Sequence, residues 1–502
     1  MKAKFYLYFI CLFLFVVAPS CGQSLIESDT ISLKPDYVLR GELSIDDYHT
    51  YVEVPFKLPE GVKRLTIKVS YTGKEERTTV DLGLLDPNNF RGWSGGSRSK
   101  ITLSMEDATP GYLPGALPSG YWKLLLGIPN IRENVVSQYE ALIFLESEPR
   151  VTEFLDTPIN TKAGWYHGDL HMHTGNSDGK CLSQSGNKIP CPVYRTVEAA
   201  VNRDLDFIAV TEHNATSHAN ALRELQPAFD EILLVAGREI TTFYGHANIF
   251  GPTGYIDFRM RDSSAAEATK WMDKVNKLGG IVSINHAGVP SGEDCMGCGW
   301  QIKDLPRATI TAIEIINGGT LKKTGSSEIT YQGWEQWYKM LNNGERITAI
   351  GGSDDHSGTA DSEVLGSIGS PTTVVFMKEL SAKGMIEGIR DGRVYIDIEG
   401  NKERFLDFKA KVNNNEAKMG EVLNVNSTKE IQLSVSVKGV DGASLEFVVD
   451  GEIESELIQR NNNIKENNHI VWRYDTKPNW ILVKVRDKKG NLILVSNPIY
   501  FE

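Results

Sequence analysis

Residues 165–180 read WYHGDLHMHTGNSDGK, and an apolar lead-in there runs into His171 and His173, with Asp178 five residues further on. In a strand, side chains two apart point to the same face, so the two imidazoles would project together. In a helix, residues two apart do not face each other. Two imidazoles converging at a strand end make half of a metal site, and the downstream chain must supply the rest.

Working outward, the segment from Thr161 to about Gly400 alternates apolar β-branched runs with amphipathic helical stretches: RTVEAAVNRD (195–204), AAEATKWMDKVNKLG (265–279) and SAKGMIEGIRDG (381–392). Such alternation predicts a parallel sheet or a (β/α) barrel. The strands of this segment carry ligand-type residues mostly at their C-terminal ends. YHGDLHMHT holds His171 and His173, DFIAVTEH ends in His213, and ILLVAGREI contains Glu239. GHANIFG has His246 at its entry, GGIVSINH ends in His286, TAIEIIN ends in Asn317, and RITAIGGSDDH ends in Asp354, Asp355 and His356. In (β/α) barrels the strand C-termini converge on one face, where active sites lie. Eight of the ten histidines fall between His167 and His356, six of them at these strand positions, which scattered core histidines would not do.

The ordered set H-x-H-T-x-x-S-D-G, T-E-H, G-x-E, G-H, N-H and G-S-D-x-H resembles the polymerase-and-histidinol-phosphatase (PHP) metallohydrolases, and most of all their CehA/McbA-like branch. The resemblance covers roughly residues 161–400. It implies a distorted (β/α)7 barrel with two or three divalent ions, Zn, Mn or Fe. Carried over residue by residue, it implies that His171, His173, Glu239 and Asp354 hold one ion. Glu239 would bridge to a second ion bound by His246 and His286, and Asp178, His213 and His356 would hold a third. Catalytic roles would fall to Glu239, Asp354 and His356. No cysteine belongs to that set, and the role of Asp355 is open.

Metals ~3.5–4 Å apart would share a water with its pKa lowered toward ~7, and that hydroxide would attack phosphorus in line. The expected activity is therefore hydrolysis of a phosphomonoester or phosphodiester, on a small molecule or linked to a glycan. The alternatives are hydrolysis of an ester, amide or carbamate, and a non-catalytic glycan-binding lipoprotein. No G-x-S-x-G elbow or P-loop competes with the metal chemistry. Lys180 and Arg238 lie near the site in sequence, where a solvated charge competes with phosphate contact. His218 is a candidate substrate contact or proton donor, His167 a weaker one, and Arg393 reads as structural.

The flanks read as β structure. YVEVPFKL (51–58), RLTIKVSY (64–71), VDLGLL (80–85), YWKLLLGI (121–128) and YEALIFLE (139–146) are separated by turn residues and predict an N-terminal β-sandwich over 21–150. The metallohydrolase unit then spans 151–400. After it, IQLSVSVKG (431–439) alternates strictly, and WILVKVRD (480–487) faces NLILVSN (491–497) across Lys488-Lys489-Gly490. That pattern predicts a small Ig-like β domain over 401–502.

At the start, Lys2 and Lys4 precede an apolar run from Phe5 to Val17, followed by Ala18-Pro19-Ser20-Cys21. The run is shorter than the ~20 residues of a spanning helix and suits a signal peptide over 1–20. Cys21 resembles a lipoprotein attachment site. The expectation is an exported protein of the periplasm, outer membrane or cell surface, with membrane contact only through a lipid at Cys21. A formal net charge of −12 argues against nucleic acid as the main partner. Export favours disulfides for Cys181, Cys191, Cys295 and Cys298, the local pairing 181–191 and 295–298 being simplest, with a four-thiolate zinc as the rival.

Overall fold

Burial alternates along Tyr51–Leu58, with Val54, Phe56 and Leu58 turned inward and Glu53, Pro55 and Lys57 outward. That period of two is what a half-buried strand requires. The computed structural model describes residues 34–147, 157–293, 295–359, 361, 364–425, 429–459, 464–474 and 476–502. The expected signal peptide and Cys21 lie outside them.

Two four-stranded antiparallel sheets form the first part. One runs Tyr37–Leu43, Ser137–Glu146, Arg64–Tyr71, Lys100–Ser104, and the other Tyr51–Leu58, Gly120–Asn130, Thr79–Leu85, Phe90–Gly95. Leu58, Leu65, Ile67, Leu84, Trp122, Leu124 and Ile143, all fully buried, belong to a single apolar core. Each such side chain contributes roughly 1.5–3 kcal/mol on burial.

The metal-ligand motifs sit in the second part, and here the barrel expectation is corrected. Among the described residues strands take 40% and helices 15%, and the strands do not close into a (β/α)7 barrel. They divide between two sheets. Leu233–Ala236, Phe207–Val210 and Gly164–Asp169 are parallel neighbours, and Thr372–Met377 and Val394–Asp397 continue that sheet antiparallel. Arg238–Thr242, Gly245–Phe250, Ile281–Ile284, Ala312–Asn317 and Thr348–Gly352 make the other.

The reason is local. Only Gly237 separates Leu233–Ala236 from Arg238–Thr242, and only Phe243 and Tyr244 separate that strand from Gly245–Phe250. A connection that short cannot hold a crossover helix, so the pair forms an antiparallel hairpin. The far edge is also engaged: Val394–Asp397 pairs with Leu492–Ser496 from the C-terminal segment. The sheet thus runs past residue 400 into Trp480–Arg486 and Ser444–Val449. A further sheet, Asn415–Lys418, Phe405–Val412, Glu430–Lys438, Asn467–Arg473, joins it around a core that includes Phe408, Leu433, Phe447 and Val483. Residues 34–502 form one compact unit, and among those described no helix is long and apolar enough to cross a membrane.

Candidate metal centre

The strand Gly164–Asp169 ends just before the first histidine pair. Leu170 and Met172 enter apolar clusters, while His171 and His173 point the other way, 1% and 0% exposed. Single parallel bridges, Met172 to Asp355 and His213 to Glu239, link neighbouring segments at this point. They bring the ligand-bearing ends together.

Glu239 lies at the centre and is fully buried. Its Oε2 is 2.7 Å from His213 Nδ1, and its Oε1 is 3.2 Å from His286 Nε2 and 3.3 Å from His246 Nδ1. His171 Nε2 stands 3.5 Å from Glu239 Oε1 and 3.4 Å from Asp354 Oδ1. His173 Nε2 is 3.2 Å from the same Asp354 oxygen. Asp178 Oδ1 is 3.3 Å from His356 Nε2 and 3.6 Å from His213 Nε2. All nine residues singled out in the sequence therefore fall in one cluster. Four overlapping groups in it have metal-ligand spacing: His171, His173 and Asp354; His171, Glu239 and His286; His173, Asp178, His213 and His356; and His246, His286 and Cys298.

Charge follows burial. Desolvation pushes the Glu239 carboxyl up, but His171, His213 and His246 outweigh it and hold the group well below the usual range. Asp354 behaves alike, held down by His171, His173 and His356. Burial also raises Asp178, yet His356, His213 and His173 hold it at about 2. Burial brings His173 down to about 4, which leaves its nitrogens free to ligate. The Asp178 side chain is 57% exposed and His356 37%, so the cluster opens to solvent on that side.

Several supporting residues escaped the sequence reading. Glu314, buried in an Ile-rich strand, lies 3.1 Å from His171 Nδ1 and accepts the His286 backbone N–H. A carboxylate amid isoleucines was its sequence signal, since such a group is costly unless partnered. Asn285 Nδ2 donates to Glu239 Oε1 at 2.9 Å. Asn317, noted as a strand end, donates to Asp354 Oδ2 at 3.2 Å. Asp354 and His286 have φ of +54° and +27°, a region that non-glycine residues enter uncommonly and Asp and His more often than most.

Other candidates fall away from the cluster. Arg238 points to the Thr253 and Gly254 carbonyls. His218, 1% exposed, bonds the Gly237 carbonyl through Nε2, and His167 pairs with Asp206. Arg393 stacks over Trp165 and Phe376. Lys180 contributes its backbone N–H to the His356 carbonyl. Asp355 accepts from the backbone of Ser357 and Gly358 and shapes that turn. Both local cysteine pairs, Cys181–Cys191 and Cys295–Cys298, are disulfide-bonded.

No protein-family model matches this chain, and no curated protein matches it. Among solved structures it matches a two-domain Bacteroides vulgatus protein containing a predicted PHP-like metal-dependent phosphoesterase. That match has 19% identity and a TM-score of 0.35, over 70% of this chain and 100% of the other. A candidate metal-dependent phosphoesterase from Bifidobacterium adolescentis matches at 15% identity and TM-score 0.26, over 40% and 91%. PsfC from Pseudomonas syringae matches at 14% and 0.27, over 45% and 90%. The CehA/McbA-like branch of the PHP-like group is not singled out by these matches. Overlap this partial carries no argument about chemistry, which rests on the ligand geometry.

Proposed function

We propose that the chain is an exported metal-dependent phosphoesterase of the PHP type. The observation that carries the reading is a buried carboxylate, Glu239, ringed by imidazoles several of whose nitrogens have no hydrogen-bond partner. His171 Nε2, both nitrogens of His173 and of His246, and His286 Nδ1 are buried without a hydrogen bond. Buried polar atoms are nearly always satisfied, so a group of orphaned donors and acceptors converging on one point fits bound cations. His171, His173, Glu239 and Asp354 would hold one ion, His246 and His286 with Glu239 a second, and Asp178, His213 and His356 a third. Mixed imidazole and carboxylate ligation suits Zn, Mn or Fe.

Bound divalent ions supply Lewis acidity toward phosphoryl oxygens and make a water nucleophilic near neutral pH. The chain's own residues position that chemistry. Glu314 orients His171 and the His286 backbone, and Asn285 and Asn317 fix the Glu239 and Asp354 carboxylates. The exposed Asp178 and His356 mark the side from which a phosphomonoester or phosphodiester enters, free or glycan-linked. Export through residues 1–20, with a lipid on Cys21, belongs to the same reading, and mass spectrometry of the mature N-terminus tests it.

The functional test is a side-by-side screen of phosphomonoesters, phosphodiesters and carboxylic esters with Mn- and Zn-loaded protein, with metal content measured on each sample. Phosphoester turnover is expected, lost together with bound metal in Asp354→Ala. Turnover of carboxylic esters alone, or undiminished turnover in Asp354→Ala, would overturn the proposal.

A further inference from the structure

Cys298 is fully buried, and its sulfur lies within 4.8 Å of one ring nitrogen each of His246 and His286. Among the described residues it is the only cysteine placed in such a group. Both imidazoles are 5% exposed, and both nitrogens of His246 and Nδ1 of His286 lack hydrogen-bond partners. The 295–298 turn is pressed onto this spot. Gly297 has φ +82°, and a Cβ there would stand 3.2 Å from His246 Nε2 and run into the Thr242 carbonyl oxygen. Only glycine allows that approach. The other end of the turn differs: Cys295 is half-buried, next to Met296 at 76% exposure.

We infer that Cys298 is a redox-gated ligand of the ion held by His246 and His286, withheld while it is bonded to Cys295 and supplied when that bond is reduced. The inference rests on the metal-centre reading above. The reductant is an external dithiol. Its thiolate attacks the sulfur of the half-buried Cys295, the S–S bond breaks and Cys298 leaves as thiolate. The donor's second thiol then displaces Cys295, which takes up a proton, and the donor departs as a disulfide. Two electrons pass from donor to protein. Free Cys298 thiolate is a soft ligand beside two imidazoles, a combination that favours zinc and cobalt over manganese.

The test uses the whole chain loaded with cobalt(II), whose bond to a thiolate gives a charge-transfer band in the near ultraviolet. Oxidised wild type should lack the band and acquire it on addition of dithiothreitol. Cys295→Ser, which leaves Cys298 permanently free and Cys181–Cys191 intact, should show it without reductant. Cys298→Ser should never show it, and adding His246→Ala to Cys295→Ser should abolish it. Iodoacetamide labelling of Cys298 in Cys295→Ser should be slowed by cobalt. Cobalt bound at wild-type stoichiometry in Cys295→Ser with no band, or a band that survives His246→Ala, overturns the inference while leaving the metal centre standing. Failure of every form to retain cobalt overturns both.

Discussion

At the scale of single residues, the cluster is organised by what stands behind the ligands. Glu314 touches His171 at Nδ1, the nitrogen turned away from Glu239 and Asp354. A carboxylate there selects the tautomer that leaves Nε2 free to ligate, and losing such an orienting partner typically weakens metal binding ~10–100-fold. Glu314→Gln is therefore expected to raise the metal dissociation constant by about that factor, with the fold intact by circular dichroism. Titration with a chelator of known affinity measures it, and an unchanged constant would remove Glu314 from the site.

Among elements, the ends of strands matter more than their middles. Thr348–Gly352 passes directly beneath His171, and a Cβ at Gly352 would collide with the His171 Cβ and lie 2.8 Å from Glu314 Oε1. Overpacking of this kind costs ~1–3 kcal/mol, and here the displaced groups are a ligand and its support. Gly352→Ala should lose bound metal although no donor atom is removed. Elemental analysis after dialysis, set beside a thermal melt, separates metal loss from unfolding. Retention of metal at wild-type stoichiometry would mean that the strand tolerates the shift.

Across the whole molecule, the N-terminal sheets are tied to the part that carries the histidine–carboxylate cluster by an ionic contact. Asp107, 2% exposed, meets Arg223 of the helix His218–Leu225 and lies 3.5 Å from Arg64. Asn220 of the same helix bonds the backbone at Glu106 and Ala108. Burial pushes the Asp107 carboxyl up, but Arg64, Arg223 and Ser104 together hold it below its ordinary 3.8. A depressed carboxylate contributes stability above its unfolded pKa and loses it as pH falls through the folded value. Asp107→Asn should cost about 1.5–3 kcal/mol near neutral pH, because the Arg64 and Arg223 guanidinium groups each lose a carboxylate contact. The gap to wild type should narrow below pH 3.8. Denaturant melts at both pH values test this, and a gap independent of pH would show that the contact is not acting through charge.

The sequence by itself determined which ligand-type residues the cluster contains, because residue type and strand alternation are local properties: His171 and His173 share a face whatever the sheet around them does. The run of motifs from His171 to His356 was enough to nominate Glu239 and the eight residues clustered around it. Closure into a barrel was not legible, because it depends on which strand edges find partners. The helix-free links at Gly237 and at Phe243-Tyr244 were in plain view. That Val394–Asp397 would pair with Leu492–Ser496 was not, because the two strands lie far apart in the chain. Glu314 and Cys298 belong to the same class. Each sits outside the motifs and gains its place beside an imidazole only through packing between distant segments, which tertiary structure alone decides.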